Sequence, residues 1–140
     1  MTETHSMLQR MKTLATQAAN GTYTSTARGN IKAEIDALNK EITRIATTTE
    51  FNGEKPLNPD TKRGANLTFF IGASADPTNA MTVAQMTMTA EALTINNIAV
   101  DTTTNAFNAM ASIDAAIEKV STYRATLGAA QNRLEHTVTT

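Results

Sequence analysis

Apolar residues recur at helical intervals from the start of the chain. Met7, Met11, Leu14 and Ala18 follow steps of four, three and four, which lines them along one face of a helix over residues 2–20. The pattern ends at "ANG", where Gly21 is expected to take the left-handed backbone of a helix stop. Ile31, Ile35, Leu38, Ile42 and Ile45 alternate steps of four and three, the spacing of a heptad seam, and predict a second helix over 25–48. Asp36, Lys40, Glu41 and Arg44 fall on its other faces. Ser25 or Thr26 serves as its cap, and Gly29 inside it costs about 1 kcal/mol relative to Ala. The stretch "TTTEFNGEKPLNPD" then ends the helix with β-branched residues, an Asn-Gly turn signal and two prolines.

The periodicity changes in the middle. "LTFFIGA" is apolar and partly β-branched, "ADPTNA" is a turn, and "MTVAQMTMT" alternates with a change of phase across Gln85. Together they predict a β-hairpin with a bulge, within a β region of about 55–90. "AEALTINNIAV" reads either as a turn of helix or as an extended arm. A long helix follows over 103–138, capped by Asp101 or a following Thr. Its seam holds Ala106, Met110, Ile113, Ile117, Val120, Leu127, Leu134 and Val138, with Arg124 and Gln131 interrupting it. The fold class is mainly α with a small β-hairpin: one elongated antiparallel helical bundle, with residues 1–140 forming a single domain.

Composition narrows the chemistry. The 140 residues include no Trp, and much of the 41% hydrophobic share is Ala and Met, which suits closely spaced helices better than a deep ligand cavity. A formal net charge of −1 gives no electrostatic case for nucleic acid or an anionic membrane. Without Cys there are no disulfides, thiolate ligands or thiol nucleophiles. No stretch has the apolar length of a membrane span, and no basic start precedes an apolar block, so any export proceeds without a cleaved signal peptide. His5 and His136 lie near opposite ends with no second ligand at helical spacing, and read as solvated residues rather than a metal pair. Glu34, Asp36 and Glu41 are closely spaced carboxylates of a solvated helix face. No catalytic residue, metal or cofactor is expected. Met7, Met11 and Met110 sit on seams, where core packing is favoured over an adaptable binding surface.

Three stretches carry a resemblance to a known family. "LQRMKTLATQAANGTYT", "IKAEIDALNKEITRIATTTEFNG" and "IDAAIEKVSTYRATLGAAQNRLEHTV" closely resemble bacterial flagellin, in flagellin order and over nearly the whole chain. The pattern "LQR…LA.Q.AN", the "FNG" after the second helix and the "LGA.QNR" of the last helix recur together in that family. The resemblance implies the core rod domain of a filament subunit, without the terminal polymerisation helices or the variable outer domains. Such a piece is expected to be monomeric on its own. In its full context it would contact other flagellin subunits, in an extracellular bacterial flagellum.

The resemblance also implies a second partner, the ectodomain of Toll-like receptor 5. Flagellins that this receptor detects present an Arg, a Leu and a Glu at the positions of Arg10, Leu14 and Glu34. Gln9 and Gln17 fall on the matching first helix, and Ile113, Ile117, Thr122, Leu127 and Arg133 match positions implicated on the long helix. Leu14, Ile113, Ile117 and Leu127 also lie on apolar seams, where packing alone accounts for them. Arg10, Glu34 and Arg133 lie off the seams, and contacts within a filament account for them equally well. Thr13 stands where many strongly detected flagellins have Glu, which bears on potency. Two other readings stand beside this one: a hook–filament junction protein, and an unrelated coiled-coil adaptor that would oligomerise through the Ile31–Ile45 seam.

Overall fold

The computed structural model describes residues 2–48, 66–70, 80–84 and 86–139, with 66–70, 80–84 and 134–139 as backbone alone. The described residues are mainly helical. Helix α1 spans Thr2–Ala18, α2 Ser25–Thr48 and α3 Thr103–Thr139; strands β1 (Asn66–Phe70) and β2 (Ala80–Ala84) pair antiparallel, with Thr68 opposite Thr82. The "FNG" segment, the turn before β2, the phase change at Gln85 and the side chains of Leu134, His136 and Val138 lie outside the described residues.

The helix ends are closed by polar groups. The cap of α2 is Thr24, one residue earlier than expected: its Oγ1 accepts the Ala27 amide at 3.1 Å. Thr102 caps α3 in the same way, accepting the Asn105 amide at 3.0 Å. Gly21 differs from expectation, because its φ does not lie in the left-handed region. The turn is made by Asn20 instead, whose Oδ1 accepts from the Thr22 amide at 3.0 Å and from Thr22 Oγ1 at 2.8 Å. This is an Asx turn, which needs no left-handed residue.

Helix α1 packs against both α2 and α3. Lys12 Nζ meets Asp114 Oδ1 at 2.8 Å, while Arg28 joins the C-terminal end of α1 to the start of α3, so α1 and α3 run antiparallel. The core keeps Met11, Leu14 and Ala18 of the first expected seam, Ile31, Ile35, Ile42 and Ile45 of the second and Ala106, Ile113 and Val120 of the third, and shifts other members by one position. In α1 the buried residues are Thr4, Leu8, Met11, Leu14, Ala15 and Ala18, with Met7 only half-buried. In α2, Asn39 replaces Leu38 on the buried line. In α3 the buried positions are Ala106, Ala109, Ile113, Ala116, Val120, Tyr123 and Ala130, and Met110, Ile117 and Leu127 flank them half-buried. Neither Arg124 nor Gln131 interrupts this line. Both are exposed, and Tyr123 and Ala130 fill the core in their place.

The segment 86–100 has no ladder partner among the described residues, yet it buries Met88, Ala90, Leu93, Ile95, Ile98 and Val100. Side chains of the helices satisfy its backbone instead. Thr43 Oγ1 accepts the Ala90 amide at 3.1 Å, and Asn39 Nδ2 donates to the Ile95 carbonyl at 2.8 Å. A hydrogen bond joins Tyr123 to the Met86 backbone. Buried backbone groups need such partners wherever a regular element supplies none.

Candidate functional site

The exposed edge between α1 and α2 gathers the polar residues singled out in the sequence. Arg10 lies on α1 and Glu34 on α2, and their side chains form a bidentate pair: Nε to Oε1 at 3.0 Å and a terminal nitrogen to Oε2 at 3.3 Å. Both remain about half exposed, at 49% and 45%. A pair so open to water contributes at most about 1 kcal/mol to the fold. Its effect is geometric, since the planar guanidinium is held in one orientation and presented at the surface.

Neighbouring groups extend the same polar edge. Gln9 and Gln17 are exposed on α1, and the Gln9 amide lies 3.3 Å from His5 Nε2. The hydroxyls of Thr13 and Thr16 turn back onto α1, donating to the Gln9 carbonyl at 3.2 Å and the Lys12 carbonyl at 2.7 Å. Along α2, Arg44 pairs with Glu41, while Lys32 pairs with Asp36 at 2.7 Å on the other side of the helix, beside the segment 86–100. The hydrogen bond from Arg44 holds the Glu41 carboxyl below the usual carboxylate range and raises the Arg44 guanidinium in turn. Asp36 and Glu41 are therefore members of local ion pairs.

The remaining expected site residues divide by burial. Leu14 is 2% exposed and Ile113 fully buried, so neither offers its side chain to a partner while the helices stay packed. Ile117 and Leu127 are half-buried at the margin of the core; Thr122 and Arg133 are exposed on α3. The Ile31–Ile45 seam is covered within the chain, with Ile35 and Ile42 fully buried, and is not offered to a separate coiled-coil strand.

Sequence reading missed Arg28. Its guanidinium donates to four acceptors: the carbonyls of Ala18 at 3.1 Å, Asn20 at 3.3 Å and Asp101 at 3.3 Å, and Thr103 Oγ1 at 3.0 Å. It closes the C-terminal end of α1, where a cation is favoured, and ties it to the start of α3. Its half-burial beside Gly29, before the first large apolar residue of α2, left no periodic signal in the sequence. Among the described residues no group of acidic residues or histidines is placed to hold a metal, and no helix is long and apolar enough to cross a membrane.

Two family models match the chain. The bacterial flagellin N-terminal helical region covers residues 1–61, and the bacterial flagellin C-terminal helical region covers 110–140. Among curated relatives, flagellin FlaB1 of Treponema pallidum is 38% identical, over 97% of this chain and 51% of its own length. The flagellin of Bacillus subtilis is 40% identical over 169 aligned positions, covering 99% of this chain and 55% of the relative. This chain thus spans about half the length of the curated relatives it matches. The crystal structure of Bacillus cereus flagellin superimposes with a TM-score of 0.80 at 32% identity, covering 97% of this chain and 76% of that one. FliC from Burkholderia pseudomallei shares the fold at a TM-score of 0.74 and 19% identity.

Proposed function

Because the chain belongs to the bacterial flagellin family, we propose that it is a structural part of a flagellar filament, packed side by side with other flagellin subunits outside the cell. It is a structural protein rather than an enzyme. One observation carries the filament reading: the regions matched by the two family models, far apart in sequence, meet in one fold through the packing of α1 on α3. We take residues 1–140 as one rod-like domain, an antiparallel helical bundle with β1 and β2 as its hairpin, exported without a cleaved signal peptide. Joined to the terminal polymerisation segments of a related flagellin and expressed in a bacterium lacking its own, the chain should be found by immuno-electron microscopy along the length of filaments. Staining confined to the filament base would favour the hook–filament junction, and retention in the cytoplasm would overturn both readings.

We further propose that the α1–α2 edge binds the ectodomain of Toll-like receptor 5, with Arg10 at the centre. The bidentate Arg10–Glu34 pair supports this, because it fixes a planar donor group on an exposed face that the core does not require. Gln9 and Gln17 flank the pair on α1. Thr122, Arg133 and the half-buried Ile117 and Leu127 extend the surface along α3, while Leu14 and Ile113 act from beneath by keeping the helices in place. Arg10→Ala should weaken binding by about 2 kcal/mol, roughly thirtyfold. Stability should fall by no more than about 1 kcal/mol, the ceiling for an exposed ion pair. Glu34→Ala should cost less, with much of the loss in association rate. Titration of purified ectodomain with the three proteins tests this, and equal affinity for wild type and Arg10→Ala would refute it.

A further inference from the structure

The turn between α1 and α2 carries the pair Asn20–Gly21, and neither filament packing nor receptor binding uses its chemistry. Asn20 is exposed, and its Oδ1 accepts hydrogen bonds from both the amide and the hydroxyl of Thr22, at 3.0 and 2.8 Å. Two donors on a carbonyl oxygen polarise it and make Cγ a better electrophile. The same donors stand where negative charge collects when a nucleophile adds to that carbon. The nucleophile within reach is the next backbone nitrogen. The Gly21 amide has no hydrogen-bond acceptor among the described residues, and nothing lies within 4 Å of the place a Cβ would take. We propose that Asn20 is a site of spontaneous deamidation, promoted by the turn that holds it.

The chemistry is self-contained apart from water. Gly21 N–H gives its proton to hydroxide, and the nitrogen adds to Asn20 Cγ. Charge gathers on Oδ1, where the Thr22 N–H and O–H meet it. Collapse breaks the Cγ–Nδ2 bond, Nδ2 takes a proton from water and leaves as ammonia, and a five-membered succinimide remains. Water then adds to one of the two imide carbonyls. Water at Cγ breaks the Cγ–N bond of the ring and gives aspartate; water at the Asn20 backbone carbonyl breaks the original peptide C–N bond and gives isoaspartate, with the continuous backbone routed through Cβ and Cγ. Nothing is oxidised or reduced. The aspartate product places its carboxylate near Arg28, which already donates to the Asn20 and Ala18 carbonyls. Isoaspartate instead lengthens the main chain beside those contacts.

The test compares the folded chain with a synthetic peptide of residues 12–28 at neutral and mildly alkaline pH. Peptide mass spectrometry that separates aspartate from isoaspartate gives the rates, and circular dichroism confirms that each variant keeps its fold. Asn20 should convert faster in the folded chain than in the peptide. Thr22→Val should slow the folded chain by roughly fivefold, since a solvent-exposed donor is worth less than a buried one, and leave the peptide nearly unchanged. Gly21→Ala should slow both by roughly tenfold, because a Cβ crowds the attacking nitrogen. A peptide that reacts as fast as the folded chain, or a Thr22→Val protein with the wild-type rate, would overturn the proposal.

Discussion

Thr94 is held at a φ of 63°, in the left-handed region that β-branched residues avoid. It earns that position by ending a single turn of helix: the Ile95 amide donates to the Ala90 carbonyl and the Thr94 amide to the Glu91 carbonyl, both at 3.1 Å. That pair of bonds is the Schellman arrangement, in which glycine is the usual occupant. The Thr94 side chain is exposed, so its loss removes no packing. Thr94→Gly should therefore stabilise the protein by about 0.5 kcal/mol, the relieved strain exceeding the added freedom of the unfolded chain. A urea midpoint that falls would contradict this. Tyr123 gives a pH-dependent counterpart. Burial raises its phenol above the ordinary value of 10.0, opposed in part by the Met86 backbone hydrogen bond. The fold prefers the neutral phenol, so this contribution is complete below pH 10.0 and is lost as pH rises through the raised folded value. Tyr123→Phe should flatten the alkaline limb of the stability profile, measured by denaturant midpoints across that range.

At the scale of elements, the sequence told which segments are helices better than which side of each faces inward. Reading α3 by its bulkiest apolar residues selected Met110 and Ile117 and so turned Arg124 and Gln131 into interruptions. The buried line instead runs through Ala109, Ala116, Tyr123 and Ala130, with the same alternating heptad steps one position earlier. Alanine carries little hydrophobic signal, yet its small side chain lets helix axes approach, so the contact centres on it. In α1 and α2 the displacement runs one position the other way, burying Leu8 rather than Met7 and Asn39 rather than Leu38. Asn39 was not legible at all, because its burial depends on the Ile95 carbonyl, far away in sequence. The candidate edge shows the same boundary. Arg10 and Glu34 could be marked as off-seam polar groups, but their pairing requires the rotation of both helices to be known. Two glycines test the helices separately. A Cβ at Gly29 in α2 or Gly128 in α3 would meet nothing within 4 Å. Gly29→Ala and Gly128→Ala should each stabilise by about 1 kcal/mol, and the two should add because the sites share no partner. Thermal unfolding of the single and double variants measures this, and destabilisation by either would show a constraint that the isolated chain does not reveal.

For the molecule as a whole, Arg28 is the most connected polar residue described, since it joins the end of α1, the turn and the start of α3. Arg28→Met keeps the aliphatic stem but leaves those acceptors to water or unpaired. A loss of about 2 kcal/mol is expected, with the denaturant midpoint falling at an unchanged slope. Arg28→Lys should recover little, because a point charge cannot span acceptors that a fork reaches. A wild-type midpoint for Arg28→Met would show that the clamp is incidental. The packing of α1 against α3 has a further consequence, for how much chain can lie between them. Residues near the beginning of the sequence must find residues more than a hundred positions later before the seam is covered, so the entropy of that closure is already spent. It grows only with the logarithm of the intervening length, by about 0.6 kcal/mol for each doubling. The Bacillus subtilis match runs over 169 positions against the 140 residues of this chain, so that relative carries extra residues inside the shared region. By this scaling, an inserted segment between α2 and β1 would slow the search for the native pairing more than it would weaken the result. The closed helical pair is a frame in which the span between its two halves can lengthen at little thermodynamic cost.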